Sequence, residues 1–132
     1  MSDIPVITNS WLWISIGAIP GSCLRLYITR KFTSVFNRPY FGTSFINILA
    51  SFLLGLFSSL YTNQNHYTFD ITYSLCLSIG FTGSLSTFST FIYEFLIDSP
   101  HNSIINRSYF YILVITISIL VTILGIHLGD IL

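Results

Sequence analysis

Four apolar stretches, each about 20 residues long, make up most of this chain of 132 residues. A helix needs about 20 mostly apolar residues to cross the hydrocarbon core of a bilayer. Charged residues form only 8% of the sequence, whereas soluble domains carry about 25%. Because a soluble core could not hide so much apolar sequence, we expect an all-α integral membrane protein. The predicted transmembrane spans cover residues 11–27, 41–61, 71–97 and 109–128.

Short connections join these spans, so the whole chain is expected to form one domain of four transmembrane helices without an extramembrane module. An even number of spans places both termini on the same side of the membrane. The five basic residues all belong to the opposite side, and they are Arg25, Arg30, Lys31, Arg38 and Arg107. Because Lys and Arg concentrate on the cytoplasmic side, the sequence predicts a multi-pass protein of the plasma (inner) membrane with both termini outside the cytoplasm.

The third predicted span contains a polar stretch, residues 80–91, at a depth where lipid-facing helices carry leucine. Gly80 and Gly83 are three residues apart and hydroxyl side chains surround them, which favours a break at the centre of this helix. Irregular backbone at this depth is tolerated only inside protein or beside a water-filled cavity. Carbonyls freed at a break can coordinate a small cation, and half-helix N-termini favour anions. The stretch therefore predicts a place where something polar binds or passes.

The second and fourth spans each carry a polar face. Thr43, Asn47 and Ser51 recur at intervals of four residues, so they share one side of a helix. Ser118 and Thr122 show the same spacing in the fourth span. These side chains either join helices through hydrogen bonds worth about 0.6 kcal/mol each or donate to a desolvated anion. Both interpretations stay open, since Ser and Thr also bond to the backbone of their own helix.

Two phenylalanines, Phe88 and Phe91, lie three residues apart on one face of the third span. Rings at this spacing are typical of ordinary contacts between helices. Their edges carry positive charge density, however, so rings turned edge-on to a narrow path could replace the water around a small, hard anion.

Arg25 and Glu94 are the charged residues that fall within predicted spans. Ionisable groups inside a membrane are energetically expensive and are usually paired. Both residues lie near the same end of their spans, so we expect them to be close or to share a polar network. Alternatively, each extends its charged end to the headgroup region.

Three sequence blocks resemble the Fluc (CrcB-type) fluoride channel family. Residues 17–25 resemble its glycine-rich first helix that ends in arginine, and residues 42–47 resemble its second-helix motif. Residues 83–91, Gly-Ser-Leu-Ser-Thr-Phe-Ser-Thr-Phe, resemble its signature break in the third helix and form the most specific block. The order, spacing and total length also agree, so the resemblance covers nearly the whole chain.

The resemblance implies a fluoride-selective channel subunit that lets fluoride leave the cell passively and thereby lowers its toxicity. It also implies a lipid-embedded antiparallel dimer around a structural sodium ion (Na⁺) that is bound and not transported. Carried onto this sequence, the sodium ligands are the backbone carbonyls of Gly83 and Ser86. The implied fluoride path consists of Thr43, Asn47, Phe88, Phe91, Ser118 and Thr122.

The chain departs from the family pattern in two respects. Ser84, Ser86, Ala50 and Val114 replace the residues that are usual at those positions. Members that form homodimers insert in both orientations, which requires little Lys/Arg bias, whereas this chain is biased five to zero. We therefore expect a companion subunit of opposite orientation, with a homodimer as the alternative.

Other functions fit the sequence less well. A small multidrug transporter also has four short helices, but it needs a carboxylate within the membrane for proton coupling. The first span contains no Asp or Glu, and Glu94 lies too near a helix end to replace it. A non-transporting assembly subunit would not need the polar faces of three spans. The sequence shows neither a basic patch for nucleic acid nor a catalytic pairing, so we do not expect an enzyme.

Overall fold

The structure is a computed structural model that describes residues 10–63, 74–97 and 104–131. Its helices form four segments long and apolar enough to cross a membrane, as the sequence predicted. The helices are α1 (Ser10–Phe36), α2 (Pro39–Asn63), α3 (Leu75–Phe81), α4 (Thr82–Leu85), α5 (Phe88–Ile97) and α6 (Ile104–Ile131). Helices α3, α4 and α5 together form the third span. The predicted residues 71–73 of that span lie outside the described residues.

The first helix is longer than its predicted span. We expected residues 28–40 to form a loop, but α1 continues to Phe36 and α2 begins at Pro39. The predicted boundary follows hydropathy, which marks where lipid contact ends. The helix itself continues, because residues 28–36 contain neither Gly nor Pro.

The sharp turn between α1 and α2 follows from local chemistry. Asn37 has a left-handed backbone with φ of 58°, and asparagine is one of the few residues that visits this region routinely. Its N–H donates to the carbonyl of Thr33 at 3.0 Å, which closes the last turn of α1. Pro39 then occupies the first position of α2, where its missing N–H is not needed.

The third span contains two departures from α-helical geometry. Helix α3 is π-helical, a wider form that is rare and is found mostly as single turns. At its end, the Thr82 hydroxyl donates to the carbonyl of Ser78. After α4, Ser86 is extended, with φ of −76° and ψ of 153°. The helix resumes at Phe88, so residues 86–87 interrupt it.

Glycines bring the helices into backbone contact at two crossings. A Cβ atom added at Gly17 of α1 would lie 2.0 Å from the Cys76 carbonyl of α3. A Cβ atom at Gly125 of α6 would lie 2.5 Å from the Phe52 carbonyl of α2. Small residues permit such close approach in membranes, where no hydrophobic force drives helices together.

The buried core consists of two small clusters on either side of the interruption. Ile46, Ala50 and Leu85 form one cluster, and Phe91, Tyr111 and Val114 form the other. Many large apolar side chains of α1 and α6 are exposed, as expected for surfaces that face lipid.

Candidate functional site

An open groove of about 310 Å³ runs beside the interruption, between α2, α5 and α6. It is bordered by Asn47, Ser51, Ser86, Thr87, Phe88, Phe91, Val114, Ile115, Ser118, Ile119 and Thr122. Five of the six residues predicted for the fluoride path are among them, and the sixth, Thr43, lies one helical turn before Asn47. Each of these lining residues is uncharged. The groove therefore offers dipoles and apolar walls.

Asn47 joins α2 to the interrupted backbone through both ends of its amide. Its Nδ2 donates to the Thr87 carbonyl at 3.1 Å, and its Oδ1 accepts from the Thr87 N–H at 2.9 Å. In a continuous helix, the Thr87 N–H would bond to the carbonyl of Gly83. Asn47 therefore satisfies the backbone where the helix cannot. Of the two roles that the sequence allowed for Asn47, the structure shows the hydrogen bond between helices.

The hydroxyls of the groove differ in their hydrogen bonding. Ser51 donates to the Asn47 carbonyl at 2.8 Å. Thr122 donates to the carbonyls of Ser118 at 2.9 Å and Ser51 at 3.2 Å, and so bridges α6 and α2. The Ser118 hydroxyl has no hydrogen-bond partner among residues 10–63, 74–97 and 104–131. It is therefore a donor that remains available to a guest in the groove.

The two phenylalanines occupy different environments. Phe91 is only 3% exposed, and its ring meets that of Tyr111 edge-on, with centroids 4.6 Å apart. Phe88 is 72% exposed, although it lies at the middle of a span. Phe91 therefore forms a fixed wall of the groove, whereas Phe88 stands at its open side.

Thr43 and Glu94 form a buried polar pair one turn from Asn47. The Thr43 hydroxyl donates to Oε1 of Glu94 at 2.8 Å, and the two residues are 1% and 8% exposed. Oε2 of Glu94 has no partner within the described part of the chain. The pair ties α2 to α5 beyond the interruption.

Arg25 and Glu94, which we expected to be close or to share a polar network, bind different partners. Nη1 of Arg25 contacts the Ser86 carbonyl at 3.5 Å, while Glu94 accepts from Thr43. The interrupted backbone offers an acceptor within reach of α1, so the guanidinium is drawn to a carbonyl instead of a carboxylate. Arg25 therefore contacts the interruption itself, whereas Glu94 binds α2 beyond it.

Some groove residues were not predicted. Ile115 and Ile119 of α6 line the groove with Ser118, and their spacing of three to four residues would have placed them on the same helix face. Thr87 belongs to the site because its backbone bonds to Asn47, and a sequence does not reveal such a backbone contact. Val114 also lines the groove, although the sequence marks it only as a departure from the family pattern.

These features define a class, namely multi-pass helical membrane proteins with an uncharged polar groove at an interrupted helix. Residues 12–127 match the family described as "CrcB-like protein, Camphor Resistance (CrcB)". The chain belongs to this family, which confirms the resemblance seen in the sequence.

Several relatives of this chain carry names that state a function. A protein of Prochlorococcus marinus (strain NATL2A) named "Fluoride-specific ion channel FluC 2" is 36% identical over 98% of both chains. "Fluoride-specific ion channel FluC" of Koribacter versatilis (strain Ellin345) is 40% identical over 67% of this chain and 70% of its own. "Fluoride-specific ion channel FluC 1" of Synechococcus sp. (strain CC9902) is 42% identical over 64% of this chain and 65% of its own. These matches favour a channel over the small multidrug transporter.

Proposed function

We propose that this chain is a subunit of a fluoride-selective ion channel, through which fluoride leaves the cell down its electrochemical gradient. The observation that carries this proposal is the groove at residues 86–87, together with relatives that are named fluoride-specific channels. Its walls combine hydroxyls, backbone dipoles and phenylalanine rings without a charged residue.

This composition suits rapid passage of a small, hard anion. Partial positive charges replace part of the hydration shell, whereas a full positive charge would bind the anion too tightly for it to leave. The Ser118 hydroxyl supplies one donor, and the N-terminus of α5 adds the favourable end of a helix dipole. Phe91 is held by Tyr111, so its ring orientation does not need to adjust as an anion passes.

The groove requires a cover, and we propose that a second subunit supplies it. The open side exposes Phe88 at mid-span, where lipid tails would offer nothing to an anion. An antiparallel arrangement would place a second set of helices over this side. Because the Lys/Arg bias predicts a single orientation with both termini extracytoplasmic, we propose a companion chain of opposite orientation. Expression of this chain alone should then give no fluoride flux, and a functional homodimer would contradict the companion.

The residues at the interruption fit the implied structural sodium ion in part. The Gly83 carbonyl has lost its helical donor to Asn47 and keeps a long bond of 3.4 Å from the Ser86 hydroxyl. The Ser86 carbonyl has a contact of 3.5 Å with Arg25. Both oxygens are therefore weakly engaged, as suits carbonyl ligands of Na⁺. Two oxygens cannot surround a cation, so we propose that the second subunit would contribute the others.

The decisive experiment compares Ser118→Ala with the native chain, each reconstituted together with the candidate companion subunit, in liposomes loaded with fluoride or chloride. A hydrogen bond to a charged group contributes about 1.5–3 kcal/mol, so we expect fluoride efflux to fall by roughly ten- to a hundredfold. Thr116→Val is the matched control, because Thr116 lies on an exposed face of the same helix and bonds to its own backbone. Native efflux that does not distinguish fluoride from chloride would overturn the channel assignment.

A further inference from the structure

We propose that the outward face of α1 binds the headgroup of an anionic phospholipid. This face is distinct from the groove, which contains no residue of α1. The lipid site is formed by Leu26, Tyr27, Arg30, Lys31 and Ser34, which border a surface depression of about 720 Å³.

The geometry of α1 directs Arg30 away from the rest of the protein. Gly17 faces the backbone of α3, and Ile28 packs against the buried cluster of Ile46 and Leu85. Since each residue turns the helix by about 100°, Arg30 lies roughly 200° from Ile28. Arg30 and Lys31 are both exposed, so their charges point into the surroundings.

Along this face of α1, apolar and aromatic side chains precede the basic ones. Leu26 is 51% exposed and Tyr27 is 62% exposed. Tyrosine rings prefer the headgroup level, and Nζ of Lys31 lies 5.8 Å from the centre of the Tyr27 ring. Arg30 and Lys31 therefore lie about one helical turn after Tyr27, where the predicted first span ends, and we expect lipid headgroups at this level.

Charge complementarity selects the occupant. Helices α1 and α2 contain no Asp or Glu, so Arg30 and Lys31 have no carboxylate on their own helix or on the next. The adjoining apolar residues would remain uncovered by free phosphate, whereas an acyl chain would lie along them. Basic residues beside a transmembrane helix attract anionic lipids, with a contribution from each cation.

Lipid-specific fluorescence quenching tests this site in the reconstituted channel. The two native tryptophans are replaced by Trp11→Phe and Trp13→Phe, and Tyr27→Trp places a single reporter at position 27. Brominated phosphatidylglycerol is compared with brominated phosphatidylcholine at equal mole fraction, after subtraction of the signal from a tryptophan-free variant. We expect phosphatidylglycerol to bind more tightly than phosphatidylcholine. Its relative affinity should fall by roughly fivefold in Arg30→Gln or Lys31→Gln and by on the order of 25-fold in the double variant.

Two controls make the result specific. The charge-preserving exchange of Arg30→Lys with Lys31→Arg should retain the preference for phosphatidylglycerol. The second control uses the native protein, which keeps Trp11, Trp13 and Tyr27. Its tryptophans lie roughly 25 Å from the site along the helix axis, so their quenching should show no such preference. Equal quenching by both lipids at position 27 would overturn the proposal. A preference that survives the double glutamine replacement, or one equally strong at Trp11 and Trp13, would overturn it as well.

Discussion

The two halves of the third span are held by opposite means. In the first half, the backbone at Gly80 touches α1 directly, and a Cβ atom there would lie 2.4 Å from the carbonyl of Ile14. From Ser86 onward, side chains reach across to the backbone. Asn47 bonds to Thr87, and Arg25 contacts Ser86.

This difference reflects what each half does with its own hydrogen bonds. A continuous helix satisfies its backbone internally, so its neighbour needs only to come close, and glycine allows this. An interrupted helix leaves N–H and C=O groups unpaired, which are costly in a membrane. Its neighbours must therefore supply polar atoms at matched positions. The groove lies beside the interrupted backbone, where side chains of neighbouring helices supply the hydrogen bonds.

Replacing a glycine of α1 that packs against the first half should have the largest effect on stability. In Gly17→Ala the new methyl group would overlap the Cys76 carbonyl, so α1 and α3 must separate at a cost of about 3 kcal/mol or more. We expect little folded protein by size-exclusion chromatography and a lower thermal midpoint. Gly83→Ala is the matched control, because a Cβ atom there meets no atom within 4 Å. Equal folding yields for Gly17→Ala and Gly83→Ala would contradict the close-contact interpretation.

Removing the polar partner of the interruption should have the next largest effect. Asn47→Ala leaves the N–H and the carbonyl of Thr87 without their side-chain partner, and we expect a loss of about 2 kcal/mol. The measurement is the free energy of unfolding in detergent, with Ser51→Ala as control, since Ser51 donates only within its own helix. If Asn47→Ala were no less stable than Ser51→Ala, the amide would not be holding the interruption.

The smallest of the three effects is expected at the buried pair. Thr43→Val keeps the shape of the side chain but removes the donor to Glu94, which should cost about 1 kcal/mol. Thr62→Val provides the control, because Thr62 is exposed on the same helix and bonds to Ser58. The comparison uses the same unfolding measurement. A Thr43→Val variant as stable as Thr62→Val would show that α2 and α5 do not depend on this bond.

Much of this architecture could be predicted because it depends on local sequence properties. Apolar length is sufficient to find four spans, since the bilayer imposes the length. Helical spacing places Asn47 and Thr122 on inward faces, and both reach the groove. The chemical role of the groove residues in fluoride passage stays a prediction, which the Ser118→Ala experiment addresses for one of them.

What could not be predicted depends on distances between atoms of different helices. Arg25 and Glu94 match in depth along their spans, yet their partners are Ser86 and Thr43. Depth is a one-dimensional quantity, whereas a hydrogen bond also depends on the rotation of each helix about its axis. The π-helical form of α3 escaped prediction for a related reason, because its sequence is equally compatible with an ordinary apolar helix.

The two-residue link at Asn37 and Arg38 bears on how the protein enters the membrane during synthesis. Such a short link cannot cross a bilayer, so α1 and α2 must insert as one hairpin, and neither can choose its direction independently. Arg30, Lys31 and Arg38 all lie at or near the tip of this hairpin, where translocating them would require three charges to pass through hydrocarbon together. The predicted topology would thus be set once the first half of the chain has left the ribosome, and the second half would follow it.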